Sequence, residues 1–102
     1  SRPNADRAVI DAGSKALTSD LQGFSDYGLI VGYPQARISS LSEEHGVIDL
    51  ANCTGPRPQI GEKLFIIPNH TCMVSNLFDT MVFHRGGIVT RVEEVAARGL
   101  VW

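Results

Sequence analysis

The sequence is short of nearly everything that marks a membrane, secreted or nucleic-acid-binding protein. No apolar run approaches the roughly 20 residues that a membrane-spanning helix needs. The opening stretch, Ser1-Arg2-Pro3-Asn4-Ala5-Asp6, is too polar for the core of a signal peptide. Cysteine occurs only as Cys53 and Cys72, too few for the disulfide framework of a small secreted domain, so the expected compartment is the reducing cytoplasm. Nine basic residues face eleven acidic ones, for a formal charge of −2. The basic residues are scattered from Arg2 to Arg98 without a cluster, so a nucleic-acid partner has no electrostatic footprint. No serine sits in a Gly-x-Ser-x-Gly elbow and no P-loop order occurs. Lysine is reduced to Lys15 and Lys63, neither in a recognisable Schiff-base setting. There is no internal repeat or low-complexity tract.

What remains is an ordinary globular balance, 43% apolar and 20% charged over 102 residues, enough for one core and hardly two. Short β-rich runs recur about every ten residues, the rhythm of a mainly β fold. They cover Arg7–Asp11, Gly28–Gly32, Ala36–Leu41, Gly46–Leu50, Lys63–Ile67, Thr80–His84 and Ile88–Val95. The clearest hairpin runs from Met81 to Val92 around Gly86-Gly87, a pair suited to the two positive-φ positions of a type I′ turn. Its alternation points Phe83 and Val92 inward and His84 and Arg91 outward. Leu64-Phe65-Ile66-Ile67 reads as a buried strand stopped by Pro68, which keeps Ile67 extended and withholds a ladder donor. Asn69 is a good N-cap, so a short helix is expected to begin at His70 and turn Val74, Leu77 and Phe78 inward. The predicted architecture is a small antiparallel β-barrel or sandwich-like domain with this one short helix. Trp102 is expected to cover the edge of the core.

The strand-to-helix corner carries the strongest chemistry. Imidazole nitrogen and thiolate sulfur both suit zinc, and two residues apart, as in His70-Thr71-Cys72, they can reach one ion. A closed structural site wants four ligands. Two ligands with open positions would suit a metal that also binds water and substrate, against the alternative of a buried thiol beside a satisfied histidine. Ser42-Glu43-Glu44-His45-Gly46 reads as a tight turn whose His45 could be a third ligand, a partner orienting a ligand, an acid/base group, or simply solvated. Asp11-Ala12-Gly13-Ser14-Lys15 could hold an anion at a glycine-serine turn, or Lys15 could pair with Asp11 or Asp20. Cys53, in Asn52-Cys53-Thr54-Gly55-Pro56, reads as a small buried apolar residue, and His84 as solvated.

Taken together and in order, these stretches resemble the C-terminal domain of the D-serine dehydratase and D-threonine aldolase group, pyridoxal-phosphate enzymes of the alanine-racemase fold type. The marks are Asp11-Ala12-Gly13-Ser14-Lys15-Ala16-Leu17 with Asp20, Ser42-Glu43-Glu44-His45-Gly46, and Gly61-Glu62-Lys63-Leu64 leading into Ile67-Pro68-Asn69-His70-Thr71-Cys72. Asn76-Leu77 and Ala97-Arg98-Gly99 complete them. The resemblance implies that residues 1–102 form one metal-binding β domain packed on a (β/α)₈ barrel that holds pyridoxal phosphate, with no cofactor-binding residue in this chain. It assigns zinc to His70 and Cys72. Aldolases of the group usually carry His-x-Asp, so Cys72 tilts the expectation to a dehydratase, a lyase converting D-serine to pyruvate and ammonia. Met73 departs from the proline expected after the cysteine in many relatives. The implied partners are the barrel, a D-amino-acid substrate and a second subunit in a homodimer. A D-threonine-type aldolase, a racemase and a purely structural dimerisation module are the alternatives.

Overall fold

The computed structural model describes residues 1–96, so the readings of Ala97-Arg98-Gly99 and of Trp102 lie outside the described residues. All seven expected strands form, six of them within two residues of their predicted bounds, while the fifth, expected from Lys63, begins three residues later at Ile66. They are β1 (Arg7–Ile10), β2 (Leu29–Ile30), β3 (Arg37–Leu41), β4 (Gly46–Asp49), β5 (Ile66–Ile67), β6 (Thr80–Arg85) and β7 (Ile88–Glu94). Among the described residues two short helices join them, not one: α1 (Ser14–Leu17) and α2 (Cys72–Leu77). Among the described residues no helix is long and apolar enough to cross a membrane.

The core belongs to one antiparallel sheet of order β1-β4-β3. Ala8, Ile48 and Ile38 stand directly opposite one another across its three strands. They form the inward row of a period-2 pattern, and Ile38 and Ile48 are fully buried. Leu50, Ile30, Ala36, Leu17 and Cys53 close over that row, and each fully buried large aliphatic stabilises by about 1.5–3 kcal/mol. Cys53 is thus the small buried residue expected, with a free thiol. The strands β2 and β5 pair as a second, two-residue antiparallel ladder. The third sheet is the β6–β7 hairpin, with Gly86 and Gly87 at φ 58° and 83° as the type I′ reading requires. Among the described residues three small antiparallel sheets, and no closed barrel, make the sandwich-like form of the expected fold.

Burial departs from expectation in three places. Phe65 and Ile67 are 72% and 56% exposed, so Leu64–Ile67 is a half-exposed edge and not a buried strand. No residue of β6 or β7 is buried, Phe83 and Val92 included. Alternation presumes one covered face, and the hairpin has none among the described residues. Likewise α2 has no buried residue, with Leu77 and Phe78 exposed and Val74 only half-buried. The radius of gyration, 14.5 Å, exceeds the roughly 13 Å of a compact chain of this length, as a projecting hairpin would make it.

The two sequence stretches around Gly13 and His45 are clipped together. The N–H groups of Ser14 and Lys15 donate to the carbonyls of Ser42 and Glu43, at 2.8 and 3.2 Å. Lys15 Nζ reaches Glu44 Oε1 at 2.6 Å and Glu43 Oε2 at 3.8 Å. This corrects both earlier readings of the turn: its backbone donors go to carbonyls and its lysine to Glu44 and Glu43, leaving no anion nest and no bond to Asp11 or Asp20. The mutual bond raises the Lys15 pKa and lowers that of Glu44.

Candidate metal centre

β5 ends where Pro68 removes the next ladder donor, and the chain turns through Asn69, His70 and Thr71 into α2. The helix starts at Cys72 with Thr71 as its N-cap residue, two residues later than expected. Asn69 is not the cap. Its side-chain amide donates instead to the carbonyls of Asp26, at 2.7 Å, and Leu21, at 3.4 Å, tying the corner to the loop that follows α1.

Folding brings His70 and Cys72 into contact. Nε2 of His70 stands 2.7 Å from Sγ of Cys72, with Cys72 exposed and the His70 side chain 39% accessible. The other ring nitrogen faces the loop. Nδ1 of His70 lies 3.2 Å from Nε2 of Gln22 and 3.7 Å from Oδ2 of Asp20. The Gln22 backbone N–H and side-chain amide both donate to the Asp20 carboxylate, at 3.0 and 2.6 Å, and hold it below the usual carboxylate range.

Nitrogen and sulfur are donors that zinc favours, and one ligating imidazole nitrogen with a carboxylate near the other is a recurrent arrangement. A tetrahedral zinc with Zn–N about 2.0–2.1 Å and Zn–S about 2.3 Å sets its two donors about 3.5 Å apart. The contacting pair therefore has to open by somewhat under 1 Å, which an exposed thiol allows. Among the described residues, no group of three or more His, Cys, Asp or Glu side chains is disposed to hold an ion. His70 and Cys72 alone could therefore fill only two positions of a metal, and the others would have to come from outside the described residues.

His45 does not join them. It closes the β3–β4 turn, where Ser42 N–H donates to its carbonyl at 2.8 Å, and its exposed ring borders a groove lined by Arg2, Asp11 and Glu62. His84 is exposed on the hairpin. The contact that sequence reasoning missed is that of Asp20 and Gln22 with His70. Asp20 stood only among the family marks and as a possible partner of Lys15, and no periodicity links side chains about fifty positions apart.

A family described as "Putative serine dehydratase domain" matches residues 1–84. An uncharacterized protein of Mycobacterium tuberculosis is 37% identical over 94 residues, covering 91% of this chain and 70% of that protein. A D-serine dehydratase of Dictyostelium discoideum is 31% identical over 87 residues, covering 74% of this chain and 22% of that enzyme. The crystal structure of D-threonine aldolase from Filomicrobium marinum superposes with a TM-score of 0.82 and 33% identity, covering the whole chain and 27% of the aldolase. The chain thus spans about a quarter of each of these two named enzymes and the larger part of the mycobacterial protein.

Proposed function

The chain belongs to the serine dehydratase domain family, and from that membership we propose that it is the metal-bearing domain of a zinc- and pyridoxal-phosphate-dependent D-amino-acid dehydratase. The substrate is D-serine, and the products are pyruvate and ammonia. The observation that carries the reading is the 2.7 Å approach of His70 Nε2 to Cys72 Sγ. These two side chains would hold the zinc. When bound, it supplies a Lewis acid for the substrate's β-hydroxyl oxygen. Pyridoxal phosphate belongs to a barrel domain or chain, consistent with enzymes about four times the length matched here. The compartment is the cytoplasm and the assembly a homodimer.

Cobalt(II) tests the pair, because a thiolate ligand gives it a sulfur-to-metal charge-transfer band. Titrated with cobalt, the chain should develop that band, zinc should displace it, and Cys72→Ala and His70→Ala should each lose it. No band with the metal in excess would end the assignment.

One observation favours a second reading. A solved structure that superposes over the whole chain is a D-threonine aldolase. An aldolase would release glycine and acetaldehyde from D-threonine, so product analysis separates the two.

The barrel explains the uncovered apolar side chains. Ile88 is 73% exposed, and Val82, Val89 and Val92 are each more than half exposed. An isolated two-stranded hairpin is marginal in water, and exposed apolar patches above a few hundred Å² mark interaction sites. The free chain should therefore self-associate in sedimentation velocity at tens of micromolar or above. The double variant Val82→Lys/Ile88→Lys should return it to monomer with an unchanged thermal midpoint, since neither residue packs on the core. A wild-type chain that stays monomeric would count against a covered hairpin.

A further inference from the structure

Resting on the metal reading above, we infer that Asp20 is a positioning residue for His70: when Nε2 turns to the metal, the ring keeps its one proton on Nδ1, and the Asp20 carboxylate accepts a hydrogen bond from that Nδ1–H. The resting geometry makes this a real exchange. The Gln22 amide nitrogen stands 2.6 Å from Asp20 Oδ2 and 3.2 Å from His70 Nδ1, and in the resting tautomer we assign from this, Nδ1 is the acceptor. The ring proton then sits on Nε2, facing Cys72 Sγ at 2.7 Å. A metal needs the lone pair of Nε2, so ligation requires the other tautomer, with its proton on Nδ1. A donating amide cannot accept a hydrogen bond from that proton. The carboxylate 3.7 Å away can.

The backbone places Asp20 for this. Thr18 and Gln22, either side of it, hold φ at 64° and 50°, a left-handed region that non-glycine residues enter at a cost of about 1–3 kcal/mol and keep only where their surroundings dictate it. Thr18 is buried, and its hydroxyl oxygen accepts the Asp20 N–H at 3.2 Å. The Gln22 backbone N–H fixes the second carboxylate oxygen. At the far side, the Asn69 amide clamps the carbonyls of Leu21 and Asp26 to the residue just before His70. Loop and ring are thereby held in one frame, and removing the Gln22 side chain leaves Asp20 anchored through the backbone.

Zinc calorimetry on the full chain tests the assignment, with thermal midpoints as a control on folding. Asp20→Asn should weaken zinc binding by about 10–100-fold, the usual loss when the group orienting a ligating histidine is removed, with its midpoint unchanged. Gln22→Ala should bind zinc at least as tightly as wild type, because it removes only the competing donor. A merely structural loop would lose affinity in both variants alongside a lowered midpoint. Zinc binding by Asp20→Asn within twofold of wild type would overturn the inference and leave the His70–Cys72 site standing, and so would an equal loss in Gln22→Ala. Wild type that binds no zinc would remove the metal reading itself, and this assignment with it.

Discussion

Once the domain is joined to its barrel, Cys72→Ala should lower pyruvate release from D-serine by thousands-fold, and a chelator should do the same to the wild-type enzyme. Hydroxide is a poor leaving group near neutral pH, and Lewis-acid assistance to a departing oxygen contributes several kcal/mol. At about 1.4 kcal/mol per tenfold, that is three to four decades in rate. In the proposed enzyme the barrel would hold pyridoxal phosphate, so the cofactor's absorbance should survive both treatments, and this separates loss of metal from loss of the enzyme. His70→Ala should match Cys72→Ala. Cys72→Asp is the sharper probe: a carboxylate favours harder ions than a thiolate does, so manganese or magnesium should restore part of the activity that zinc no longer supports. Full turnover of D-serine by Cys72→Ala in the presence of chelator would make the dehydratase assignment wrong. A metal-free racemase or a structural role would then move ahead.

The parts of this picture legible in the sequence are those set by neighbours along the chain. Strand positions followed from short β-branched runs bounded by turn residues, and the Gly86-Gly87 turn from the φ values only glycine takes readily. The His70-x-Cys72 approach followed from a spacing of two beyond a proline-stopped strand. What escaped depends on contacts far apart in sequence. Asn69 has the chemistry of an N-cap, yet its amide finds the carbonyls of Asp26 and Leu21, and the helix begins without it. Lys15 had acidic residues four and five positions away and instead meets Glu44 in the β3–β4 turn. Phe83 and Val92 alternate as a buried face should, but burial is decided by what lies against a face. Asp20 reached His70 because a strained loop and an asparagine clamp carry it there, and neither has a local signature strong enough to read.

The clip between Gly13 and the β3–β4 turn should prove the most fragile joint in the fold. A Cβ on Gly13 would lie 2.4 Å from the carbonyl oxygens of both Ser42 and Glu43. These are backbone atoms, and they accept the N–H groups of Ser14 and Lys15. Relief therefore means separating α1 from the turn. Overpacking alone typically costs about 1–3 kcal/mol, and two hydrogen bonds lost add about 1 kcal/mol each, so Gly13→Ala should destabilise the chain by about 3–5 kcal/mol. At 4–8 °C per kcal/mol for a domain of this size, the melting midpoint should fall by at least about 12 °C. Leu17, the buried residue of α1, would be drawn from the core, and the loop carrying Asp20 and Gln22 begins at the next residue. Gly46→Ala should cost less: one backbone oxygen stands 2.9 Å from its added methyl, but the other neighbours are atoms of the Ile10 side chain. Gly55→Ala, with nothing within 4 Å, should leave the midpoint unchanged or raise it slightly by restricting the unfolded chain. Thermal unfolding of the three variants in that order of loss supports the clip. A Gly13→Ala protein within 1 kcal/mol of wild type would show that α1 and the turn move apart freely, so that this contact could not be what sets the start of the loop behind His70.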